Sequence, residues 1–236
     1  MLEIIAETVA DALAAEAGGA TQVELVTGLS EEGLTPSAGM IERVCSAVRI
    51  AVLVMIRPHA RTSVCSPEDV AVMCSDIRTA CRLGASGLML GCVTAEARID
   101  VEAVRRFRDA AEGRHLHFHN VWHLAQDQDA AIEEIIALGF QSMRTHGGQE
   151  VAGKAGDNVA RIRHFAEVAS GRIDLYLAGG VRLDNVVELV RATGVRNVHA
   201  GAAARVPPQR GGVVDAGRVR ALAEALRRAE EGPAHG

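Results

Sequence analysis

An alternation in the sequence constrains the fold of this chain more than any other feature. Short runs rich in Val, Ile and Leu return eight times, each followed by a longer stretch rich in Ala, Arg and Glu. The runs are LEIIA (2–6), TQVELV (21–26), AVLVMIR (51–57), SGLMLG (86–91), HLHFH (115–119), FQSMR (140–144), IDLYLA (173–178) and VRNVHA (195–200). Such a run reads as a strand buried on both faces, and the amphipathic stretches between runs read as the helices that bury it. Helices are expected at 67–82, 100–112, 127–138, 157–170, 182–193 and 214–229. Several strands follow the same junction, a helix ending on a glycine suited to the left-handed position, as in CRLGASGLML and RATGVRNVHA.

Eight βα units in 236 residues fit an α/β fold closed as a (β/α)8 TIM barrel, a single domain over 1–236. The alternative is an open doubly wound sheet, but no G-x-G-x-x-G follows the first strand, where a dinucleotide site would need it. A chain of this size buries roughly 70–75% of its unfolded surface, so its core needs no covalent staple. The five cysteines are odd in number and show no CxxC spacing, which points to neither a disulfide framework nor a zinc ribbon. RVPPQRGG (205–212) reads as a loop after the last strand, and the tail 230–236 as a frayed, disordered end.

The charge balance, 25 basic against 30 acidic residues without a long block of either sign, speaks against nucleic acid or an anionic membrane as partner. No apolar run approaches about 20 residues, and Met1 leads into LEIIAET without a basic leader region, so a cytoplasmic protein is expected. Lys154 is the only lysine and sits in a Gly-rich stretch, VAGKAGD, which would not hold it desolvated. Schiff-base chemistry is therefore not expected.

In a barrel, function collects at the C-terminal ends of the strands, so strand parity gives candidates. Val23 and Leu25 suit the helix-facing side of the second strand, which turns Glu24 inward, and the same reasoning turns Glu3 inward. Arg57 and Arg144, each ending a strand, are the inward cations that could partner them. One reading is an ionic layer that fills the barrel, the other a general base beside an anion-orienting arginine. Period two places His115, His117 and His119 on one face of the fifth strand, with His119 at the rim, His117 a neutral core histidine and His115 structural. His123, His146 and His199 could converge with His119, Asn120 follows it, and Trp122 could be a lid or a stacking wall. Gly179, Gly180, Gly201 and Ala202, after the seventh and eighth strands, could present backbone N–H groups to a phosphate, or merely form tight turns.

The runs VELVTGLSEEGLTPSAG (23–39), VLVMIRP (52–58), VMCSDIR (72–78), LHFHN (116–120), LGFQSM (138–143), LAGGV (177–181) and NVHAG (197–201) resemble the CutC copper-homeostasis family, the barrel proteins of that name. The resemblance runs from residue 2 to about residue 205. It implies a TIM-type barrel, commonly dimeric, linked to copper tolerance, with Glu3, Glu24, Arg57 and His119 at matching rim positions. The chain departs from the family's pattern at the mouth. Ile5 or Ala6, and Val26, stand where the family often has cysteines. Asn120 and His123 replace an arginine and an aspartate of FHRAFD, His146 replaces the serine of T-S-G, and His59 replaces an arginine. Without thiolates the mouth suits Cu(I) poorly.

These residues support an acid/base enzyme, a lyase, isomerase or dehydratase, acting on a small anionic substrate, phosphorylated or not. Its candidates are His119, with His123 or His146, as proton carriers beside Arg57. The alternative is a metal-binding protein of copper-homeostasis type, gathering His119, His123 and His146 with Glu3 or Glu24 around a divalent ion, zinc, iron or copper. A binding barrel without catalysis is the third reading.

Overall fold

A computed structural model describes residues 1–150 and 152–231. Eight parallel strands close into a barrel in chain order: β1 (Leu2–Ala6), β2 (Gln22–Leu25), β3 (Ala51–Met55), β4 (Gly87–Leu90), β5 (His115–Phe118), β6 (Ser142–Thr145), β7 (Asp174–Leu177) and β8 (Asn197–Ala200). The seam is the β1–β8 pairing, in which Glu3 stands opposite His199. The helices are α1 (Val9–Ala17), α2 (Ala38–Ala47), α3 (Pro67–Arg82), α4 (Val101–Ala110), α5 (Gln128–Ala137), α6 (Val159–Ala169), α7 (Val186–Thr193) and α8 (Ala216–Glu230). None is long and apolar enough to cross a membrane.

Side-chain alternation divides the apolar residues into two bodies. Leu2, Ile4, Val23, Leu25, Val52, Val54, Leu88 and Leu90 point outward and pack with the helices into the main core. At ~1.5–3 kcal/mol for each buried aliphatic side chain, this shell supplies most of the drive to fold. Inside the barrel a smaller group, Ile5, Val26, Leu29, Met55 and Met89, packs separately. Most of the other inward positions, among them Glu3, Gln22, Glu24, Ser142, Arg144 and His199, are polar, and this is where the fold puts its chemistry.

Local signals explain where the elements begin. α3 starts at Ser66, whose hydroxyl accepts from Asp69 N while Asp69 accepts from Ser66 N, a capping box with Pro67 following. Its apolar stripe Val70, Met73, Cys74, Ile77, Ala80 and Cys81 keeps helical spacing and is buried. Two sequence expectations need correction. β3 stops at Met55, two residues short of Arg57, because the chain turns away before Pro58. The stretch after β8 is bounded by two short antiparallel strands, β9 (Arg205–Val206) and β10 (Val213–Val214). The frayed tail expected at 230–236 lies outside the described residues from 232 onward, while residue 230 closes α8.

Candidate active site

The inward residues of β1, β2, β6 and β8 meet in a buried polar cluster. Arg144 donates to Glu24 Oε1 at 2.8 Å and approaches His199 Nε2 at 2.9 Å, and it also contacts the Met89 sulfur. His199 Nδ1 lies 2.7 Å from Glu3 Oε1, whose other oxygen accepts from Gln22 Nε2 at 2.7 Å. With Nδ1 facing a carboxylate and Nε2 facing a guanidinium, the proton of a neutral His199 belongs on Nδ1. Burial lowers the His199 pKa, as does the Arg144 charge, and Glu24 opposes them; the net value is about 3. Burial raises Glu3 against the attraction of Arg144. Below this cluster, Ser142 Oγ bridges His115 Nε2 at 2.7 Å and His117 Nδ1 at 2.9 Å. His115 and His117 are thus built into the barrel's packing.

Above the cluster opens a cavity of about 590 Å³ at the C-terminal mouth. Glu24, Arg144 and His199 form its floor, with His119 and Asn120 on its wall and His146 against Gly179. Gly179, Gly180, Gly201 and Ala202 also line it, as do Arg210 and Arg218. Gly179 has φ +77°, and a Cβ there would lie 2.0 Å from the Gly153 carbonyl oxygen, so the turn requires glycine. The N–H groups of these four wall residues have no acceptor among the described residues. Glu24 Oε2 and Asn120 Oδ1 are buried without a hydrogen-bond partner. His119 is only 7% exposed. Burial, then Arg144, holds its imidazole well below the ordinary histidine value, so it meets a ligand as a neutral base.

Three sequence candidates stand elsewhere. Arg57 is not the floor's cation: past the end of β3 its guanidinium donates to the carbonyls of Glu31 at 2.6 Å and Gly33 at 3.1 Å, outside the mouth. Trp122 is neither lid nor stacking wall. It is fully buried, meets Phe165 edge to face, and donates from Nε1 to the Arg144 carbonyl at 2.7 Å, holding β6 from behind. His123 also lies behind the mouth, its ring 4.0 Å from both Trp122 and His146. It accepts from His146 N at 3.3 Å. The expected His119, His123, His146 ligand set is therefore not assembled. Among the described residues one group of three offers ligand atoms all within 4.8 Å of one another, Glu3, Glu24 and His199. Gln22 and Ser142, passed over in the sequence, follow the same parity as Glu24 and Arg144, so period two was the signal that finds them. Arg210 and Arg218 carried no signal, since only the path of the chain after β8 brings them to the mouth.

The CutC family model matches residues 1–204. The chain belongs to the CutC family. The family protein CutC of Porphyromonas gingivalis W83 is 37% identical over 206 residues, 87% of this chain and 82% of that protein. The human relative, named copper homeostasis protein cutC homolog, is 34% identical over 202 residues, 86% of this chain and 73% of its own. A solved CutC structure from Streptococcus agalactiae superposes with TM-score 0.81 at 31% identity, covering 85% of this chain and 97% of that one. A thiamine phosphate pyrophosphorylase from Pyrococcus furiosus, at 15% identity and TM-score 0.64, shares the fold alone. In this CutC-family chain, Ile5 and Val26 stand in the inner apolar group at the mouth, where the family resemblance leads one to look for cysteines.

Proposed function

We propose that this CutC-family barrel binds a small anionic metabolite at its mouth and transforms it by acid–base chemistry, as a lyase, isomerase or dehydratase. One observation carries the reading: Gly179, Gly180, Gly201 and Ala202, whose N–H groups are uncommitted among the described residues, line the same cavity as Glu24, whose Oε2 is buried without a hydrogen bond, and the neutral His119. The wall then holds a phosphate or carboxylate, and the floor moves a proton on the part of the ligand that reaches it. Arg144, committed to Glu24 and His199, fixes the direction of the carboxylate.

The test begins with thermal shifts on a panel of small carboxylates and phosphate esters. At least one at millimolar concentration is expected to raise the melting temperature, because a ligand bound only by the folded state stabilises it. Turnover of that ligand should fall by roughly 10²–10⁴-fold in Glu24→Gln or His119→Ala, with the midpoint of His119→Ala within a few degrees of wild type and that of Glu24→Gln lower, because it leaves the buried Arg144 without its partner. A panel without any shift, or full activity in both variants, would sink the proposal.

A second reading is metal handling in copper homeostasis. The names of the relatives speak for it, and so does the close approach of Glu3, Glu24 and His199. An O/O/N set suits a divalent ion better than Cu(I), and Arg144 would have to leave its two partners for the ion to enter. Native mass spectrometry with zinc and Cu(II) separates the readings: a stoichiometric ion lost in Glu24→Gln favours metal. A homodimer, implied by the family resemblance, belongs to either reading and is checked by light scattering.

A further inference from the structure

The pairing of charges at the mouth narrows what it can hold. Of the charged side chains lining the cavity, Arg144 is met by Glu24, Arg210 by Glu32 and Arg182 by Asp184. Arg218 is left over, with no ion-pair partner among the described residues. It is held in place all the same. Its Nε donates to the Ala203 carbonyl at 2.8 Å, and its backbone N–H donates to Asp215 Oδ1 at 2.9 Å in the first turn of α8. The guanidinium is thereby fixed next to Gly201 and Ala202, whose N–H groups have no acceptor among the described residues. Lys154 adds a second cation nearby, since a Cβ on Gly180 would lie 3.5 Å from its side chain. Past the ends of β7 and β8, donors and positive charge thus stand together without an anion.

The rest of the lining has no cation to spare. Arg144 is committed to Glu24 and His199, and Arg57 donates to two carbonyls outside the mouth. His119 is neutral, and Glu24 Oε2 and Asn120 Oδ1 are buried acceptors without a donor. Buried acceptors call for a donor, and a hydroxyl can both donate to them and accept from an amide or an imidazole. A second anionic group placed here would meet oxygen acceptors and no free charge.

We propose that the mouth selects a hydroxylated phosphate monoester. Its one phosphate is held by Arg218 and the N–H groups of Gly179, Gly180, Gly201 and Ala202, and the hydroxyl groups of its neutral carbon body meet His119, Asn120 and Glu24. A phosphate ester presents three terminal oxygens to such a set of donors, where a carboxylate presents two. Bisphosphates and dicarboxylates are disfavoured by charge, and alkyl phosphates leave the buried acceptors unsatisfied. The inference rests on the reading of the mouth as a metabolite site and adds the substrate class to it.

The test is isothermal titration of the full chain at fixed ionic strength with glycerol 3-phosphate, erythrose 4-phosphate and ribose 5-phosphate. The comparison ligands are butyl phosphate, which lacks hydroxyls, ribonate, which carries a carboxylate, and ribulose 1,5-bisphosphate. At least one hydroxylated monophosphate is expected to bind roughly tenfold or more tightly than each comparison ligand. R218M should weaken that ester and butyl phosphate alike, by about tenfold or more, whereas N120A should bring the ester to the level of butyl phosphate and leave butyl phosphate unchanged. Both residues are half-buried, so melting temperatures near wild type are expected. Should R218M unfold, N120A and the order of ligands on the wild-type chain decide. Equal binding of butyl phosphate or the bisphosphate, wild-type affinity in R218M, or no binding by any probe overturns the inference. Ribonate bound in the absence of any phosphate ester also overturns it, and leaves the acid–base reading standing. A monophosphate that binds as expected, yet is neither converted nor exchanges carbon-bound hydrogen in D2O, keeps the substrate class and counts against the acid–base chemistry.

Discussion

Arg144 shows how much one side chain settles here. It is 5% exposed, and its charge is met by Glu24, which is 1% exposed. Removing one partner of a buried pair leaves the other charge without compensation, so Arg144→Met should cost about 3–5 kcal/mol, read from urea unfolding followed by Trp122 fluorescence. Adding Glu24→Gln should recover much of the loss. A single variant as stable as wild type would mean that the pair does not hold the floor together. The inward direction of Glu24 and Arg144 was legible from alternation alone. The fate of Arg57 was not, because parity holds only while the strand lasts, and β3 ends at Met55.

Among the elements, β4 and β5 limit how far the histidine-rich strand can move. A Cβ at Gly87 would lie 2.8 Å from the backbone oxygen of His115. Backbone cannot swing aside as a side chain does, so Gly87→Ala should cost about 1–3 kcal/mol in urea unfolding. It should also weaken ligand binding at the mouth by displacing His119. A neutral substitution would show that the two strands are not in tight contact. The span of α3 was legible in the sequence because its cap and its apolar stripe are local. The meeting of His59 with Asp69 was not, since only the docking of the loop after β3 on α3 brings them together.

For the whole molecule, buried histidines set the response to acid. His199 titrates at about 3 in the folded state against about 6.5 when unfolded, so the unfolded chain binds more protons between those values. Its contribution is therefore present above pH 6.5 and lost as pH falls, by about 1.4 kcal/mol per pH unit at the limit. Burial lowers His117, His119 and His123 in the same sense. Glu3, raised by burial, has the opposite sign and offsets part of one of them. Urea midpoints at pH 7.5, 6.5 and 5.5 should fall steadily; equal values would contradict neutral buried histidines.

The sequence by itself determined the eight βα units, the barrel that they close, the inward and outward residues of each strand, and the family. The units, the barrel and the parity follow from period two, period 3.6 and the glycine junctions, all of which act between neighbours in the chain, while the family follows from the matching motifs. Only the tertiary structure decided which inward residues share one floor, that Trp122 and His123 lie behind it, and that Arg144 is the cation. Glu24, Arg144 and His199 stand far apart in sequence, and nothing local records their meeting. It exists because β1 pairs with β8, and closing that seam aims side chains from distant strands at the same point.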